Sequence, residues 1–326
     1  MIDLADLGSA SALDADEFIR WSNLIAAGSG YSRMSIPQRR RRPRVVLRPE
    51  VALDRFLKQL TIGLSRISGY MPPAAVHGFV TGRDIATNAA VHLDQDVVLR
   101  VDLKDFFGTI NEQRLVRALG DYEFDEDAAD AVAGVALVND ALAQGFSTSP
   151  FLSNIVFTES DAELTSFAAR AGVSYTRYVD DLTFSGPYES VNDELLEAAS
   201  ALLADLGWSV NTGKTRFMRR GKPQYVTGLY VGDSAGPHIP RSMKRLLRRE
   251  VYFASKYGLR DARLSSPTPM LHDRLNGWVH YAAHVDPVFG KKLLVAWNDV
   301  ASRRYADRES AEWDAILEDI NFPEDW

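Results

Sequence analysis

The chain has 326 residues, of which 46% are hydrophobic, and it contains no cysteine. These values suit one large globular domain or a few subdomains that share a core, and they exclude disulfides and thiolate metal sites. The formal net charge of −7 argues mildly against a nucleic-acid partner when it is taken alone. No apolar run is long enough for a membrane span and no signal peptide is visible, so we expect a cytoplasmic protein without a membrane partner.

The net charge hides a strong segregation of charge along the chain. Residues 31–48 contain seven arginines and no acidic residue, and residues 211–260 contain twelve lysines or arginines against two acids. Acidic residues concentrate in residues 120–130 and in the tail after residue 306. A single basic run is usually a solvated surface, but two separate basic regions favour binding to a polyanion.

The first part of the chain alternates predicted helices with short strands. An amphipathic helix is predicted over residues 13–27, with acidic residues in its first turn. A glycine-serine loop at residues 28–32 precedes an arginine-rich turn that leads into a short strand. A second helix follows over residues 53–67. The apolar run of β-formers at residues 96–103 predicts a buried strand.

The later part of the chain predicts two helices, over residues 130–142 and 155–171, followed by two strands that flank the adjacent aspartates Asp180 and Asp181. A helix over residues 194–206 and a strand over residues 225–231 come next. The pattern beyond Pro240 is helical to the end. This order indicates an α+β fold with a helical C-terminal third.

Three aspartates stand out in this pattern. Asp102 ends the predicted buried strand, and Asp180 and Asp181 lie at the tip of a predicted hairpin. Paired aspartates are also common in ordinary turns, but a buried aspartate is costly unless it is paired or binds a metal. Mg²⁺ suits such a cluster because it prefers carboxylate oxygens and also accepts phosphate oxygens. Two such ions about 4 Å apart can activate a sugar hydroxyl and stabilise a leaving pyrophosphate.

Four ordered sequence blocks resemble those of the reverse transcriptases. They are "VDLKDFFGTI" (residues 101–110), "QGFSTSPFLSNIVF" (144–157), "YVDD" (178–181) and "GWSVNTGKTRF" (207–217). Two short elements, "NAAVH" (88–92) and "VTG" (226–228), resemble hallmarks of the bacterial retron type. Four blocks in family order, over residues 30–250, are far more specific than any one block.

The resemblance implies a right-hand polymerase fold, with fingers, a palm built on an antiparallel sheet, and a helical thumb. An N-terminal helical extension would occupy residues 1–30. Interleaved fingers and palm would span residues 31–237. The helical thumb and an acidic C-terminal tail would occupy residues 238–326.

The resemblance also implies roles for individual residues at the catalytic centre. Asp102 and Asp180 would bridge two Mg²⁺ ions, for which Mn²⁺ could substitute, and Asp181 would complete the acidic cluster. The backbone carbonyl of Leu103 would be a further metal ligand. The implied nucleotide-binding residues are Arg44, Leu103, Phe107, Gln144 and Lys214.

Each of the nucleotide-binding residues has an implied task. The ring of Phe107 would exclude a ribose 2′-hydroxyl and so favour dNTPs, and Gln144 would line the nucleotide pocket. Arg44 would bind triphosphate oxygens, and Lys214 would lie near the leaving group. Gln38 stands where many relatives have a lysine, so Arg39 or Arg40 would have to supply that charge.

RNA contacts are implied in two regions. The first is formed by the two retron elements, and the second is the basic helix that follows Pro240. That helix could equally present a solvated basic face, although its position suits binding to the phosphates of structured RNA. The implied RNA-binding residues are Asn88, His92, Val226, Thr227, Gly228, Arg245, Arg248 and Arg249.

The implied function is that of a retron RNA-directed DNA polymerase. Such an enzyme copies part of a cognate structured noncoding RNA into DNA, primed from a 2′-hydroxyl of that RNA, and often serves in anti-phage defence beside a separate effector protein. The alternatives are a non-retron bacterial reverse transcriptase, either defence-associated or group II intron-like, and a non-catalytic nucleic-acid-binding module on the same fold. The two retron elements argue against the first alternative, and the retained aspartates argue against the second.

Overall fold

The computed structural model describes residues 1–38, 41–265 and 272–307. Contacts within the chain divide it into two units, Met1–Thr227 and Gly228–Trp326. The acidic tail beyond residue 307 lies outside the described residues, as do Arg39 and Arg40, which were expected to replace the lysine of relatives.

The first unit mixes helices with a small antiparallel sheet. Its helices are α1 (Leu4–Ser11), α2 (Ala15–Ala26), α3 (Val51–Ile67), α4 (Ile85–Ala90), α5 (Phe106–Thr109), α6 (Glu112–Gly120), α7 (Glu126–Ala136), α8 (Ser149–Val156), α9 (Thr158–Arg170) and α10 (Asp193–Asp205). Its strands are β1 (Tyr31–Gln38), β2 (Arg41–Pro49), β3 (Val97–Asp102), β4 (Ser174–Tyr178), β5 (Asp181–Gly186), β6 (Arg216–Arg219) and β7 (Tyr225–Val226).

The central sheet has four antiparallel strands in the order β4-β5-β3-β6. Four side chains of β3, those of Val97, Val98, Leu99 and Val101, are fully buried. Both faces of this strand are therefore covered, which explains its continuous apolar run. The buried strand predicted over residues 96–103 is confirmed with one residue fewer at each end.

The arginine-rich segment forms more regular structure than the sequence pattern predicted. β1 and β2 pair as a long antiparallel hairpin, from Tyr31 opposite Pro49 to Gln38 opposite Arg41. The register shifts between Ile36 and Gln38, where Pro37 cannot donate a hydrogen bond to the ladder. The predicted turn and single short strand are therefore corrected to a two-stranded ribbon.

Capping decides where several helices begin. In α2 the Asp14 carboxylate accepts a hydrogen bond of 2.8 Å from the amide of Glu17, whose own carboxylate accepts one from the amide of Asp14. This reciprocal arrangement fixes the start of the helix predicted over residues 13–27. Asp125 likewise caps α7, so this helix begins and ends earlier than the predicted range of 130–142.

Two predicted elements are interrupted in the structure. The helix predicted over residues 155–171 belongs to two helices, α8 and α9, which meet at the fully buried Phe157. The strand predicted over residues 225–231 is broken at Thr227 and Gly228, whose φ angles are 47° and 83°. Positive φ at consecutive residues reverses the chain direction and ends a strand.

In the second unit, the described residues form the short strand β8 (Leu229–Tyr230) and then a helical region. It contains α11 (Arg241–Ser265), α12 (His272–Val285) and α13 (Pro287–Asp307). The buried carboxylate of Asp286 lies 2.6 Å from Lys244 Nζ and joins α11 to the start of α13. The predicted α+β fold is thus confirmed, and the helical pattern predicted beyond Pro240 is found in the residues described there, up to residue 307. Among the described residues, we find no helix with the length and apolar character of a membrane span.

Candidate active site

The three aspartates predicted to bind metal meet at one end of the central sheet. Asp102 is the last residue of β3 and lies opposite Asp181, the first residue of β5. Asp180 lies in the turn between β4 and β5, and its carbonyl accepts a hydrogen bond of 3.0 Å from the amide of Leu103. Strand pairing therefore brings together carboxylates that are far apart in the sequence.

The hairpin that carries Asp180 is closed by a two-residue turn. Tyr178 pairs directly with Asp181 in the sheet register, so Val179 and Asp180 form the whole turn. Val179 has a φ of 63°, a left-handed conformation that is rare for a β-branched residue. Two-residue hairpin turns require positive φ, which glycine usually provides. Here a valine adopts it beside a predicted catalytic residue.

Two cationic side chains neutralise this acidic cluster. Lys214 Nζ lies 2.7 and 2.8 Å from the two carboxylate oxygens of Asp102. Asp102 itself is only 3% exposed to solvent. Arg100 donates to both carboxylate oxygens of Asp181, with distances from 2.6 to 2.9 Å. Since a buried carboxylate without a partner is costly, these ion pairs stabilise the cluster.

Arg100 and Asn211 are site residues that the sequence pattern did not predict. Arg100 lies two residues before Asp102 on β3, so strand periodicity puts both side chains on one face, and the sequence carried this signal. Asn211 donates from its side-chain amide to Asp102 at 3.1 Å and from its backbone to the carbonyl of Asp102 at 2.7 Å. Its position depends on the tertiary path of the chain after α10, which no local pattern reveals.

Asp180 is the aspartate with the strongest electrostatic conflict. Burial raises the pKa of its carboxyl above the ordinary value of 3.8, and the negative charges of Asp181 and Asp102 add to that rise. Lys214 opposes the shift but does not cancel it. A carboxylate in this position is stabilised by any further cation that enters the cluster.

The chemistry of this cluster fits a hard divalent cation. Carboxylate oxygens from three aspartates and the nearby backbone carbonyl of Leu103 are the donor types that Mg²⁺ prefers. Across the part of the chain that the structure describes, however, no three His, Cys, Asp or Glu side chains already form a metal-ligand arrangement. Two of the aspartates instead face Lys214 and Arg100, so metal binding requires these cations to yield some of their contacts.

Two predicted nucleotide-binding residues come together where β2 contacts the segment around Gln144. Arg44 Nε donates to the side-chain carbonyl of Gln144 at 3.1 Å. The backbone carbonyl of Gln144 also accepts a hydrogen bond of 2.7 Å from the amide of Leu47. At Gly145, a Cβ atom would collide with the carbonyl of Leu47. The close approach of these two segments therefore depends on a glycine at this position.

Phe107 lies mostly inside the first unit. It is 8% exposed, and its ring packs edge-on against Phe106 at a centroid distance of 5.3 Å. Its carbonyl accepts a hydrogen bond of 3.2 Å from the amide of Leu142. The predicted sugar-excluding ring is thus held rigidly, with only a small part of its surface available to a nucleotide.

The two side chains of the "NAAVH" element that are predicted to contact RNA are both buried in the structure. His92 is 0% exposed, and its ring nitrogens lie 2.6 Å from the Ser185 hydroxyl and 2.7 Å from the Thr176 hydroxyl. Burial lowers the pKa of His92 to about 3, so this ring is neutral at physiological pH. Asn88 is 1% exposed. Neither side chain can reach RNA in this conformation, and their position supports a structural role.

The "VTG" element is linked to the "NAAVH" element. The Thr227 hydroxyl donates a hydrogen bond of 2.9 Å to the carbonyl of Ile85, the first residue of α4. Val226 is buried, whereas Thr227 and Gly228 form the positive-φ turn described above. The two predicted retron elements therefore lie side by side, a proximity that their separation in the sequence does not reveal.

The three predicted RNA-binding arginines all lie on α11 but differ in their surroundings. Arg245 and Arg248 are exposed, and the Arg248 guanidinium lies 4.9 Å from the centroid of the Phe289 ring. Arg249 is partly buried and lies 2.8 Å from the Glu250 carboxylate. Arg245 and Arg248 are thus more available to a phosphate than Arg249.

Comparison with known proteins gives a consistent result. The family model described as "Reverse transcriptase (RNA-dependent DNA polymerase)" matches residues 41–244. The Retron Mx162 reverse transcriptase of Myxococcus xanthus is 31% identical over 92% of this chain and 68% of its own length. The Retron Mx65 reverse transcriptase of the same organism is 35% identical over 63% of this chain and 52% of its own length. The Retron Ec73 reverse transcriptase of Escherichia coli is 29% identical over 67% of this chain and 72% of its own length.

Solved structures resemble the chain less closely. A telomerase from Candida albicans in complex with a TWJ fragment of telomeric RNA is 11% identical, over 94% of this chain and 68% of that chain, with a TM-score of 0.48. A TM-score this low supports no inference about ligands or activity.

Proposed function

Because the chain belongs to the reverse transcriptase family, and within it to the retron type with its right-hand polymerase fold, we propose that it copies part of a cognate structured noncoding RNA into DNA. In this proposal Asp102, Asp180 and Asp181 carry the chemistry, dNTPs are the substrates, and an RNA 2′-hydroxyl is the primer. RNA-directed DNA polymerase activity is common to the family; the residue roles, the self-priming and the RNA partner are the proposed part.

The observation that carries the proposal is the arrangement at the end of the central sheet. Asp102 and Asp181 are register partners on neighbouring strands, and Asp180 is tied to the same strand end through the amide of Leu103. Two paired strands and the adjoining turn thus hold three carboxylates at one end of the sheet, which is the preorganisation that transfer of a nucleotidyl group demands.

Divalent metal ions are general in the family, and two Mg²⁺ ions at these aspartates would supply charge stabilisation for the attacking hydroxyl and the leaving pyrophosphate. Lys214 then has two successive tasks in the proposal. It first neutralises Asp102, to which it lies 2.7 Å away. With a metal ion held by Asp102, the Lys214 ammonium would be free to bind the phosphates of the nucleotide. Its half-exposed position is compatible with that movement.

The nucleotide would bind between the β1–β2 hairpin and the acidic cluster. Arg44, held by Gln144, offers further N–H donors to triphosphate oxygens. The exposed edge of Phe107 would contact the sugar, where its bulk excludes a 2′-hydroxyl. Because its ring packs on Phe106, the ring cannot easily move aside for a ribonucleotide.

The RNA would be recognised by the surface around the linked retron elements and by the exposed arginines of α11. The buried Asn88 and His92 would set the position of α4, and Thr227 would connect that helix to the "VTG" turn. A-form RNA is recognised mainly through phosphates, 2′-hydroxyls and shape, so in this proposal a fixed backbone frame is as important as any single contact. A separate effector protein, a role in anti-phage defence and a cytoplasmic location complete the proposal.

The decisive experiment uses the RNA encoded directly upstream of the gene. The protein, expressed with this RNA, should make DNA that remains covalently joined to RNA through a 2′–5′ branch. Its electrophoretic mobility should increase after treatment with debranching enzyme or RNase. The Asp102→Asn protein, which keeps the size of the side chain, should yield no such DNA.

Three outcomes separate the parts of the proposal. DNA without an RNA linkage at any stage, or equal synthesis without the upstream RNA, contradicts the self-priming. Branched DNA from the Asp102→Asn protein contradicts the assignment of the catalytic centre. Efficient extension of a supplied DNA primer, with no product on the upstream RNA, leaves the polymerase activity intact and rejects that RNA as the partner.

A further inference from the structure

A buried ion pair lies directly behind the turn that carries Asp180. The side chains of Arg177, on β4, and Asp161, on α9, are both 0% exposed and approach to 2.6 Å. Arg177 donates to both carboxylate oxygens of Asp161, from its Nε and from one terminal nitrogen. Its guanidinium also lies 4.7 Å from the centroid of the Phe157 ring. The planar guanidinium of Arg177 is therefore fixed in position by the Asp161 carboxylate and the Phe157 ring.

The remaining terminal nitrogen of Arg177 points to the catalytic turn. It donates to the carbonyl of Val179 at 3.2 Å and to the side-chain carbonyl of Asn154, on α8, at 3.1 Å. The side-chain amide of Asn154 in turn donates to the carbonyl of Gly78 at 3.1 Å. These contacts form a chain of hydrogen bonds from Val179 to the segment before α4.

Gly78 completes the enclosure of the turn. A Cβ atom at this position would lie 2.6 Å from the backbone nitrogen of Val179, a distance that real Cβ atoms do not adopt. The neighbouring segment is fixed to β4 by hydrogen bonds from the Arg177 amide to Ala75 and from the His77 amide to Arg177. The backbone of Gly78 thus packs closely against the amide side of Val179, while Arg177 donates a hydrogen bond to the carbonyl of Val179.

We propose that Gly78, Asn154 and Arg177 form a turn clamp, which holds Val179 in its left-handed conformation and thereby positions Asp180 for catalysis. A φ of 63° is unfavourable for a valine such as Val179, although a glycine would adopt it easily. The surrounding contacts must therefore enforce this conformation. Asp161 supplies the counter-charge that keeps the buried guanidinium in place. In this proposal the clamp residues act only through the turn, as positioning residues. This inference rests on the proposed catalytic role of Asp180.

The sharpest test is Gly78→Ala, which adds one methyl group against Val179 and leaves the ion pair unchanged. We expect kcat for dNTP incorporation to fall by about 10- to 100-fold, since misplacement of a reacting group by about 1 Å has effects of this size. The Mg²⁺ concentration for half-maximal rate should rise, and the Kd for a primer–template duplex should stay within about twofold. Hydrogen–deuterium exchange of residues 177–182 should become faster.

The matched control is Gly120→Ala, at the end of α6, where an added Cβ meets nothing within 4 Å. It should leave kcat and exchange at residues 177–182 unchanged. Asn154→Ser is the second test variant, because the shorter side chain cannot bridge Arg177 and Gly78. If Gly78→Ala does not fold, this variant decides the question by the same measurements.

The outcomes distinguish the clamp from the proposed catalytic site. Folded clamp variants with wild-type kcat and wild-type exchange at residues 177–182 overturn the clamp. Slower catalysis without faster exchange in that segment also overturns it, because the effect would not pass through the turn. An Asp180→Asn protein that still incorporates dNTPs overturns the catalytic assignment instead.

Discussion

At the scale of single residues, Asp180 shows how a functional site opposes folding stability. Its pKa is raised, first by burial and then by the charge of Asp181, so the folded protein holds this proton more tightly than the unfolded chain does. Ionisation of Asp180, as the pH rises above its ordinary pKa of 3.8, therefore works against folding. The cluster keeps this unfavourable charge because the proposed chemistry requires it.

Replacing Asp180 by asparagine separates these two effects. In EDTA at pH 7 we expect Asp180→Asn to melt at a higher temperature than the wild type, and the difference should disappear below about pH 3.8, the ordinary pKa. Incorporation of dNTPs should fall by about 100-fold or more. Calorimetry over a pH series and a primer-extension assay measure the two quantities. The exposed Asp130→Asn serves as control, and a melting temperature at pH 7 equal to or below the wild type contradicts the argument.

Lys214 gives a prediction about metal binding that needs no activity assay. Lys214→Met leaves the nearly buried Asp102 without its cation, so the protein should melt at a lower temperature in EDTA. Added Mg²⁺ should raise the melting temperature of this variant more than that of the wild type, because binding to the folded state adds stability. Lys222→Met, at an exposed lysine, should respond to Mg²⁺ as the wild type does. An equal Mg²⁺ response in Lys214→Met would mean that Asp102 is not a metal ligand.

Phe107 tests the selection of sugars. Phe107→Val removes most of the ring but keeps a buried apolar side chain, so discrimination against rNTPs should fall by about tenfold or more as the clash is lost. The measurement is the ratio of kcat/KM for a dNTP and the matching rNTP. Phe18→Leu is the control because its ring packs against Phe56, between α2 and α3, and is not part of the proposed site. Unchanged discrimination in Phe107→Val would make this ring a core residue only.

At the scale of elements, helix α4, which carries the start of the predicted "NAAVH" element, is joined to the "VTG" turn by a side-chain hydrogen bond. Thr227→Val keeps the β-branched shape and removes the hydroxyl that donates to Ile85. We expect self-primed synthesis on the cognate RNA to fall by about fivefold or more, with little change in extension of a DNA primer on a generic RNA. This follows because loss of about 1 kcal/mol from a partly buried hydrogen bond would weaken the attachment of the turn to α4.

A matched change elsewhere controls for the loss of a hydroxyl. Thr61→Val in α3 removes a comparable hydroxyl-to-carbonyl hydrogen bond of 2.8 Å to Leu57. It should affect both reactions equally, if at all. Equal losses on cognate and generic templates in Thr227→Val would indicate a general structural role and not recognition of the cognate RNA.

At the scale of the whole molecule, segregation of charge outweighs the net charge. The chain is acidic overall at −7, yet exposed arginines occur on the described part of α11 and arginines dominate the β1–β2 hairpin. Local potential, and not the total, governs binding to a polyanion. This explains how an acidic protein can bind RNA.

Salt dependence of RNA binding tests that view. Arg245→Glu combined with Arg248→Glu should weaken binding of the cognate RNA and lower the slope of log K against log salt by about one unit per lost phosphate contact. Arg249 is left unchanged because it lies beside the Glu250 carboxylate. Arg170→Glu, at an exposed arginine of α9, should change the slope less. An unchanged slope in the double variant would assign RNA binding to other cations.

Sequence by itself determined the family, the α+β class and the strand that ends at Asp102. These features are local or ordered along the chain: apolar runs, turn residues and short blocks at family spacing. The same kind of signal predicted the helices near residues 13–27 and 53–67, since capping and periodicity are properties of neighbouring residues.

Tertiary structure alone decided which side chains surround the predicted ones. Lys214 and Asn211 reach Asp102, Arg44 reaches Gln144, and Thr227 reaches Ile85 only because distant segments pack together. The burial of His92, a residue predicted to contact RNA, is likewise not encoded in a short motif. Burial and long-range hydrogen bonds depend on the summed packing of the whole unit, so no window of sequence contains them.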